Sequence, residues 1–458
     1  MHRLWALESV HGIYLLRTPM LDKGVIPDKE PIVRVGIHLP QDESSTMTIE
    51  FPEPELFEIT TNGSLISIQT ELNLRVKDGY IDSDQGPNKN FSKLSILRKD
   101  QCISLKHGPI IHSVFAGRGF HWQKQIPVQL PGNIIIKIRD GFLFTVNKVP
   151  LEQYLMCVAT SEMSAKCPSA LLEAQTIAAR SWVLAASEKK HVNLGIDTCN
   201  DDCCQRYQGI ANQSPAAIRA SLSTKGKVLI ANERICDTRY SKCCGGRTED
   251  NESVWNTDPR SYLRSVFDGP EDIKNDLSDE GALRSWLEPQ YDCYCGPKYV
   301  SVDDINKFLG KVDEIDNYHR WSVHYTQEEM VKTISKKTGD RFSSITGLTP
   351  VLRGRSGRIV KLRIDGRKNG EYHSALLQSE YQIRKALSPD FLYSSAFIIE
   401  TNSSKDKERS EFTLRGAGWG HGVGLCQIGA LGMALANHDS KSILSHYYQS
   451  SALIRIYD

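Results

Sequence analysis

The spacing of apolar and polar positions along this chain changes character at Pro150. Before it, short β-prone runs dominate, at Ile32–Leu39, Leu65–Leu72 and Leu94–Leu105. Runs rich in Val, Ile and Leu, bounded by turn-forming residues, predict strands. The clearest signal is Ile134–Arg139, the turn Asp140-Gly141, then Phe142–Val146. An Asp-Gly pair between two such runs predicts a two-residue hairpin. Met1 to Glu30 shows no clear period and closes on Pro27-Asp-Lys-Glu-Pro31, which reads as an extension and linker. After Pro150 the period lengthens. Leu151, Leu155 and Val158 form one stripe, predicting a helix over Leu151–Thr160. Pro168 suits a first helical turn, and Leu171, Ala174, Ala178 and Trp182 recur at helical spacing, predicting a second helix over about Pro168–Glu188.

Further on, Ala216–Thr224 reads as a third helix, and a strand pair around Asn232-Glu233 leads into Tyr240–Gly246. Glu271–Asp316 is polar, charge-rich and carries Cys293 and Cys295, as an insertion would. Gln327–Thr338 is predicted helical, and Val351–Gly354 with Arg358–Ile364 a hairpin about Ser356-Gly357. From Gly416 the chain is glycine-rich, then helical over Gln427–Ala436 and Lys441–Tyr448, and ends in a strand at Leu453–Ile456. Hairpins alternating with helices predict a mixed α+β fold. The divisions expected are an extension (1–31), a β-rich lobe (32–148), a helical core with a metal loop (149–270), a polar insertion (271–340) and a C-terminal lobe (341–458). The last is expected to pack with the core as one unit.

Composition narrows the function classes. Hydrophobic residues make up 40% and charged residues 24% of the 458, an ordinary globular balance. Lys and Arg total 56 against 55 Asp and Glu, with no basic block, so nothing marks a nucleic-acid binder. A neutral or mixed-charge substrate such as a sugar polymer or peptide fits better. No apolar run is long enough for a spanning helix. Arg3, Glu8, His11 and Arg17 interrupt the first residues, which therefore lack the apolar core of a secretory signal. The compartment stays open on these grounds.

Candidate chemistry concentrates after Pro150. Glu162 falls between the first two helices, where a carboxylate can face a cleft. Partial burial beside Met163 would raise its pKa toward that of a general acid; the plainer role is capping the amides of the next helix. Arg180, seven residues beyond Glu173, is enclosed by Ala178, Ala179 and Trp182. Its fork suits a carboxylate or a sugar ring, or a structural ion pair with Glu173 or Glu162. His191, Cys199, Cys203 and Cys204 supply one imidazole and three sulfurs, the count of a closed structural zinc site. A disulfide within the set is the competing reading.

In Arg415-Gly-Ala-Gly418-Trp-Gly420-His421-Gly422-Val-Gly424 a glycine recurs at every second position. Such density lets the backbone approach a ligand or another strand closely, and His421 there is a candidate substrate contact. Neither a dinucleotide fingerprint nor a phosphate loop is present. Cys426, with His421 or His446, permits a cysteine nucleophile, against the commoner buried, inert thiol.

These motifs, taken in order, resemble the stage II sporulation protein D and amidase enhancer family. The resemblance rests on Val149-Pro-Leu-Glu-Gln-Tyr-Leu155, Ser161-Glu162-Met163, Glu173 through Arg180-Ser-Trp182, and Cys204-Gln-Arg-Tyr-Gln-Gly209. Gly245-Gly-Arg-Thr-Glu249, Tyr262-Leu-Arg-Ser-Val266 and Gly420 through Ala430 continue it. It implies a lytic transglycosylase acting on peptidoglycan glycan strands, preferably peptide-stripped, with Glu162 catalytic and Arg180 lining the cleft. It also implies a zinc held by His191, Cys199, Cys203 and Cys204. The substrate-binding residues it implies are Tyr240, Gly245, Gly246, Gly420, His421, Gly422 and Gln427, with the Gly-rich loop lining the groove. An amidase is the implied protein partner, and a location in the cell envelope follows. A non-catalytic amidase-enhancing, glycan-binding module is the alternative within the same resemblance. Three positions depart from the family pattern: Cys203 in place of a histidine, Cys243-Cys244 in place of small hydroxyl residues, and Cys426 in place of a serine.

Overall fold

The strand and helix signals map onto two compact units of a computed structural model. It describes residues 20–61, 64–67, 69–85, 90–99, 107–119, 123–188, 190–271, 273–288, 291–309, 317–402 and 411–458. Most of the expected N-terminal extension, the end of the run Leu94–Leu105 and part of the expected polar insertion lie outside these residues. One unit comprises 1–165, 179–237 and 453–458; the other comprises 166–178 and 238–452. Helices and antiparallel sheets both contribute to each, and the fold is α+β.

In the first unit the hairpin forms as its turn residues require. Strand Asn133–Arg139 pairs antiparallel with Phe142–Pro150, and Asp140 and Gly141 take φ of 53° and 86°. Two consecutive left-handed residues match the right-handed twist of the strands, which is why Asp-Gly is found there. This hairpin sits within a seven-stranded sheet in which Ile32–His38 lies beside Phe142–Pro150. On its other side Ile32–His38 pairs in parallel with the short strand Thr198–Cys199. A second, six-stranded sheet contains Thr46–Glu50, Glu71–Lys77 and Ile110–Ala116. The expected single strand Leu65–Leu72 is a correction. Its ends belong to Ser64–Ile66 in the first sheet and Glu71–Lys77 in the second, because the chain must turn to cross between them. One apolar core, from Val33 and Val35 through Ile134, Leu151 and Val183 to Tyr457, holds the unit together.

Helix α1, Leu151–Val158, starts immediately after the hairpin, buries Leu151, Leu155 and Val158, and stops two residues short of expectation. Helix α2, Ser169–Ala185, begins after Pro168, whose carbonyl accepts from the amides of Leu171 and Leu172. Helix α3, Pro215–Ser223, carries Ser214 as its N-cap, with Oγ accepting from the Ala217 amide.

In the second unit, helix Gln327–Thr338 lies within the predicted bounds, closed by a Thr326/Glu329 capping box and by left-handed Gly339. The predicted hairpin is longer than expected, Ser344–Arg353 with Ile359–Lys368, and a third strand, Glu371–Leu377, joins it. Polar residues interrupt the alternation of that third strand, which hid it. Strands Arg320–Thr326, Glu411–Ala417 and Phe397–Asn402 make another sheet. Its apolar side chains, among them Trp321, Phe397 and Leu414, join Ile345, Leu362 and Ile383 in one core.

Candidate active site

Between α1 and α2 the chain cannot stay helical, since Pro168 has no amide to donate and disfavours a helical residue before it. The corner is closed locally. The Ser161 amide and Oγ both donate to the Val158 carbonyl, at 3.0 and 2.7 Å. Ser161 and Met163 are buried while Glu162 between them is half-buried. Two buried neighbours therefore fix the backbone on either side of this half-buried carboxylate. From the other side comes the segment Cys204–Tyr207. The Arg206 carbonyl lies 2.6 Å from Ser161 Oγ and shares that hydroxyl's one hydrogen with the Val158 carbonyl, and the Arg206 amide donates to Glu162 Oε1 at 3.5 Å.

That segment is rigid for reasons of its own. Gln205 accepts from the Tyr154 hydroxyl at 2.8 Å and donates to the Ala179 carbonyl at 3.2 Å. Tyr207 is fully buried, stacks on Tyr154 with ring centres 5.1 Å apart, and donates to Asn147 Oδ1 at 2.6 Å. Arg206 reaches back to Asp202 at 2.9 Å.

The segment begins at the Cys/His loop. His191, Cys199, Cys203 and Cys204 bring one imidazole nitrogen and three sulfurs within 4.8 Å of one another. Cys199 and Cys203 sulfurs are 3.2 Å apart, and Cys203 Sγ lies 3.8 Å from His191 Nε2. Around an ion with Zn–S near 2.3 Å and Zn–N near 2.0 Å, tetrahedral edges run at roughly 3.8 Å between sulfurs and roughly 3.5 Å from sulfur to nitrogen, and small shifts of these side chains would let the set hold one metal ion. Hydrogen bonds from Cys199 and Cys203 draw the Cys204 thiol well below its ordinary value despite burial. Cys199 is placed by the parallel pairing of its strand with Ile32–His38. Asp201 pins the turn by accepting from the amides of Gly117 and Arg118, at 2.8 and 2.6 Å. The loop is thus a closed framework two residues from the Glu162 contact.

Arg180 is found elsewhere. Its guanidinium is completely buried, paired in bidentate fashion with Glu152 at 2.9 and 2.6 Å. It also donates to the Lys227 carbonyl at 3.0 Å and to Thr224 Oγ1 at 3.3 Å. The ion-pair partner is therefore Glu152, neither Glu173 nor Glu162. Burial would push Glu152 up, but the Arg180 charge and hydrogen bonds from Arg180, Tyr457 and the Gly226 amide hold it below its ordinary value. Glu152 offered no special spacing in the sequence; only its position on α1, facing Arg180 on α2, reveals it.

The residues expected to line a groove lie in the second unit. Tyr240-Ser241 pairs in parallel with Leu425-Cys426. Gly245, Gly246, Gly418, Gly420, Gly422 and Gly424 all have positive φ. What they approach is protein: a side chain at Gly422 would strike the Arg358 guanidinium, and one at Gly246 would meet Trp286 and Cys293. Gln427 is buried and donates to Gln175 at 3.5 Å. His421 is half-buried, its Nδ1 accepting the Val423 amide at 3.0 Å, so Nε2 carries the hydrogen. Burial, with the charges of Arg239, Arg358 and Arg384, pushes this imidazole well below its ordinary value and keeps it neutral. Trp255 stands edge-on to it at 4.9 Å, under Arg239 at 4.3 Å. Cys426 is fully buried, with Sγ accepting the amides of Cys244 and Gly429 at 3.1 and 3.2 Å, which is unlike an exposed nucleophile.

A family model described as stage II sporulation protein matches residues 139–230, the stretch holding Glu162, Arg180 and the Cys/His loop. Over these residues the chain is similar to the stage II sporulation protein D family. Stage II sporulation protein D of Bacillus subtilis is 24% identical over 352 residues, covering 74% of this chain and 82% of the relative. The amidase enhancer of Bacillus subtilis is 25% identical over 307 residues, 65% of this chain and 39% of that protein. An uncharacterized protein of Brachyspira hyodysenteriae is 24% identical over 327 residues, 71% of this chain and 73% of the relative. A second family model, of a domain of unknown function, matches residues 249–424. The match over 139–230 covers the acid corner and the metal-type loop together. No helix among the described residues is long and apolar enough to cross a membrane.

Proposed function

We propose that this protein acts on the bacterial cell wall as a lytic transglycosylase-like enzyme, cleaving peptidoglycan glycan strands with Glu162 as its single acid and base. The observation that supports the reading is the half-buried Glu162 carboxylate, set between buried Ser161 and Met163 and contacted by the Arg206 amide. In the protonated state Glu162 gives its proton to the glycosidic oxygen as the C1–O bond breaks. The resulting carboxylate then takes the proton of the same sugar's 6-hydroxyl, whose oxygen closes on C1 to form an anhydro ring. No water is consumed and the acid is regenerated, so a second carboxylate, as in hydrolysis, is not required. Arg180 serves as a positioning residue that locks α1 to α2, the two helices flanking Glu162. Zinc is the ion we assign to His191, Cys199, Cys203 and Cys204, where it would cross-link the loop that carries Arg206.

The test is wild type and Glu162→Gln incubated with purified, peptide-stripped wall strands, with products scored by mass spectrometry for anhydro ends. Wild type is expected to release them and the variant not; equal release from both overturns the reading. A second reading, a glycan-binding module that stimulates an amidase, is favoured by the engagement of Arg180 with Glu152, which leaves that cation no part beside Glu162. Strand binding and amidase stimulation by wild type, with no anhydro ends, is the result that selects it.

A further inference from the structure

Away from the Cys/His loop, the second unit gathers thiols from three distant stretches. Cys244 follows strand Tyr240–Ser241, Cys295 lies in the turns after helix Glu280–Leu287, and Cys426 caps helix Gln427–Leu435. Their sulfurs and a carboxylate oxygen of Asp268 all lie within 4.8 Å of one another, and every one of the four residues is buried. The Cys244 and Cys295 sulfurs are 3.7 Å apart. A disulfide needs about 2.05 Å, whereas sulfurs at the corners of a tetrahedron around an ion at about 2.3 Å sit roughly 3.8 Å apart. We propose that Cys244, Cys295 and Cys426 hold a second, structural metal ion, a single thiophilic divalent cation such as zinc.

Two further donors adjoin these three. Asp268 Oδ2 is 3.2 Å from Cys244 Sγ, while its Oδ1 is fixed by the Tyr447 hydroxyl at 2.6 Å. The Cys243 thiol contacts both Cys295 and Cys426. Asp268 completes a four-donor set with the three sulfurs, whereas Cys243 groups with Cys295 and His319. The surroundings favour sulfur as an acceptor. Backbone amides of Cys244 and Gly429 point at Cys426 Sγ, and that of Gly246 at Cys244 Sγ at 3.4 Å. His319 Nδ1 stands 3.4 Å from Cys295 Sγ, and the Arg320 charge acts on Cys295 and Cys244. Burying several acidic groups side by side is costly unless a cation joins them. The ion also has a structural task. Residues 291–301 contain no helix or strand, and a shared ligand would tie them to the Gly245-Gly246 turn and to helix Gln427–Leu435. The spacing is too tight for a cluster of several irons and sulfides, so one ion is assigned.

The experiment measures bound zinc by elemental analysis on the full-length chain, purified in zinc-containing medium, with three variants: Cys199→Ser/Cys203→Ser, Cys295→Ser and Asp268→Asn. Wild type should hold about two zinc ions per chain. The first variant should retain one, and Cys295→Ser should lose one. X-ray absorption on zinc in the first variant, which leaves Cys295 untouched, should count at least three sulfur ligands, so the idea stands or falls even where Cys295→Ser does not fold. Asp268→Asn keeping three sulfurs and an oxygen or nitrogen, or showing four sulfurs, identifies the fourth donor and supports the site either way. A zinc-free first variant, zinc with fewer than three sulfurs, or an intact mass showing a disulfide among these cysteines overturns it.

Discussion

Replacing Arg180 by alanine should leave Glu152 charged and cut off from its cation within the core. In the native protein Glu152 receives both arms of the guanidinium, at 2.9 and 2.6 Å, together with Ser221 Oγ at 2.9 Å, Tyr457 Oη at 2.8 Å and the Gly226 amide at 3.2 Å. The variant keeps the three neutral donors and loses the two charged ones. Removing one partner of a buried ion pair costs about 3–5 kcal/mol, and the surviving donors place this case near the lower end, about 3 kcal/mol. For a cooperative unit of 150–250 residues that corresponds to a fall in melting temperature of roughly 6–12 °C. Thermal unfolding followed by circular dichroism, on wild type, Arg180→Ala and the double variant Glu152→Leu/Arg180→Met, is the assay. The double variant should lose less than Arg180→Ala, since it strands no charge. Acid weakens the same pair. Glu152 titrates below its ordinary 4.5 when folded, so the pair's stabilisation is complete above that value and is lost as pH falls through the lower folded one. The penalty of Arg180→Ala should therefore shrink in acid. A neutral-pH loss under about 1 kcal/mol, or a penalty that grows on acidification, would refute the clamp.

Glu162→Gln should shift stability by no more than about 0.5 kcal/mol, because the side chain is half-buried and its amide contact is long; calorimetry beside the product assay separates this from misfolding. Chelation, or Cys199→Ala, should strip metal from the His191 loop and lower the melting temperature, checked by metal content and unfolding on one sample. Gly141→Val should destabilise the Asp140-Gly141 turn by about 1–2 kcal/mol, read from denaturant midpoints. Gly422→Ala should cost about 2 kcal/mol or more, since a left-handed φ of 75° and collision with Arg358 act together; a melting temperature equal to wild type would contradict the described packing.

Local chemistry determined much of this protein before any folding. Asp140-Gly141 between β-prone runs specifies its hairpin, Pro168 separates α1 from α2, and Thr326 with Glu329 and Gly339 bounds helix Gln327–Thr338. The Glu162 corner and the metal-type loop were legible for the same reason: each is written within a few dozen consecutive residues. The partner of Arg180 was not, because Glu152 looks like any helical glutamate until α1 and α2 pack. The glycine run permitted a ligand or a neighbouring strand, and only assembled backbone showed Arg358 and Trp286 filling that space. Cys244, Cys295 and Cys426 are separated by 51 and more residues along the chain, and no periodicity links them. Short-range steric and hydrogen-bonding rules act on neighbours and so can be read from sequence, whereas burial, ion pairing and ligand clusters depend on which distant segments the core brings together.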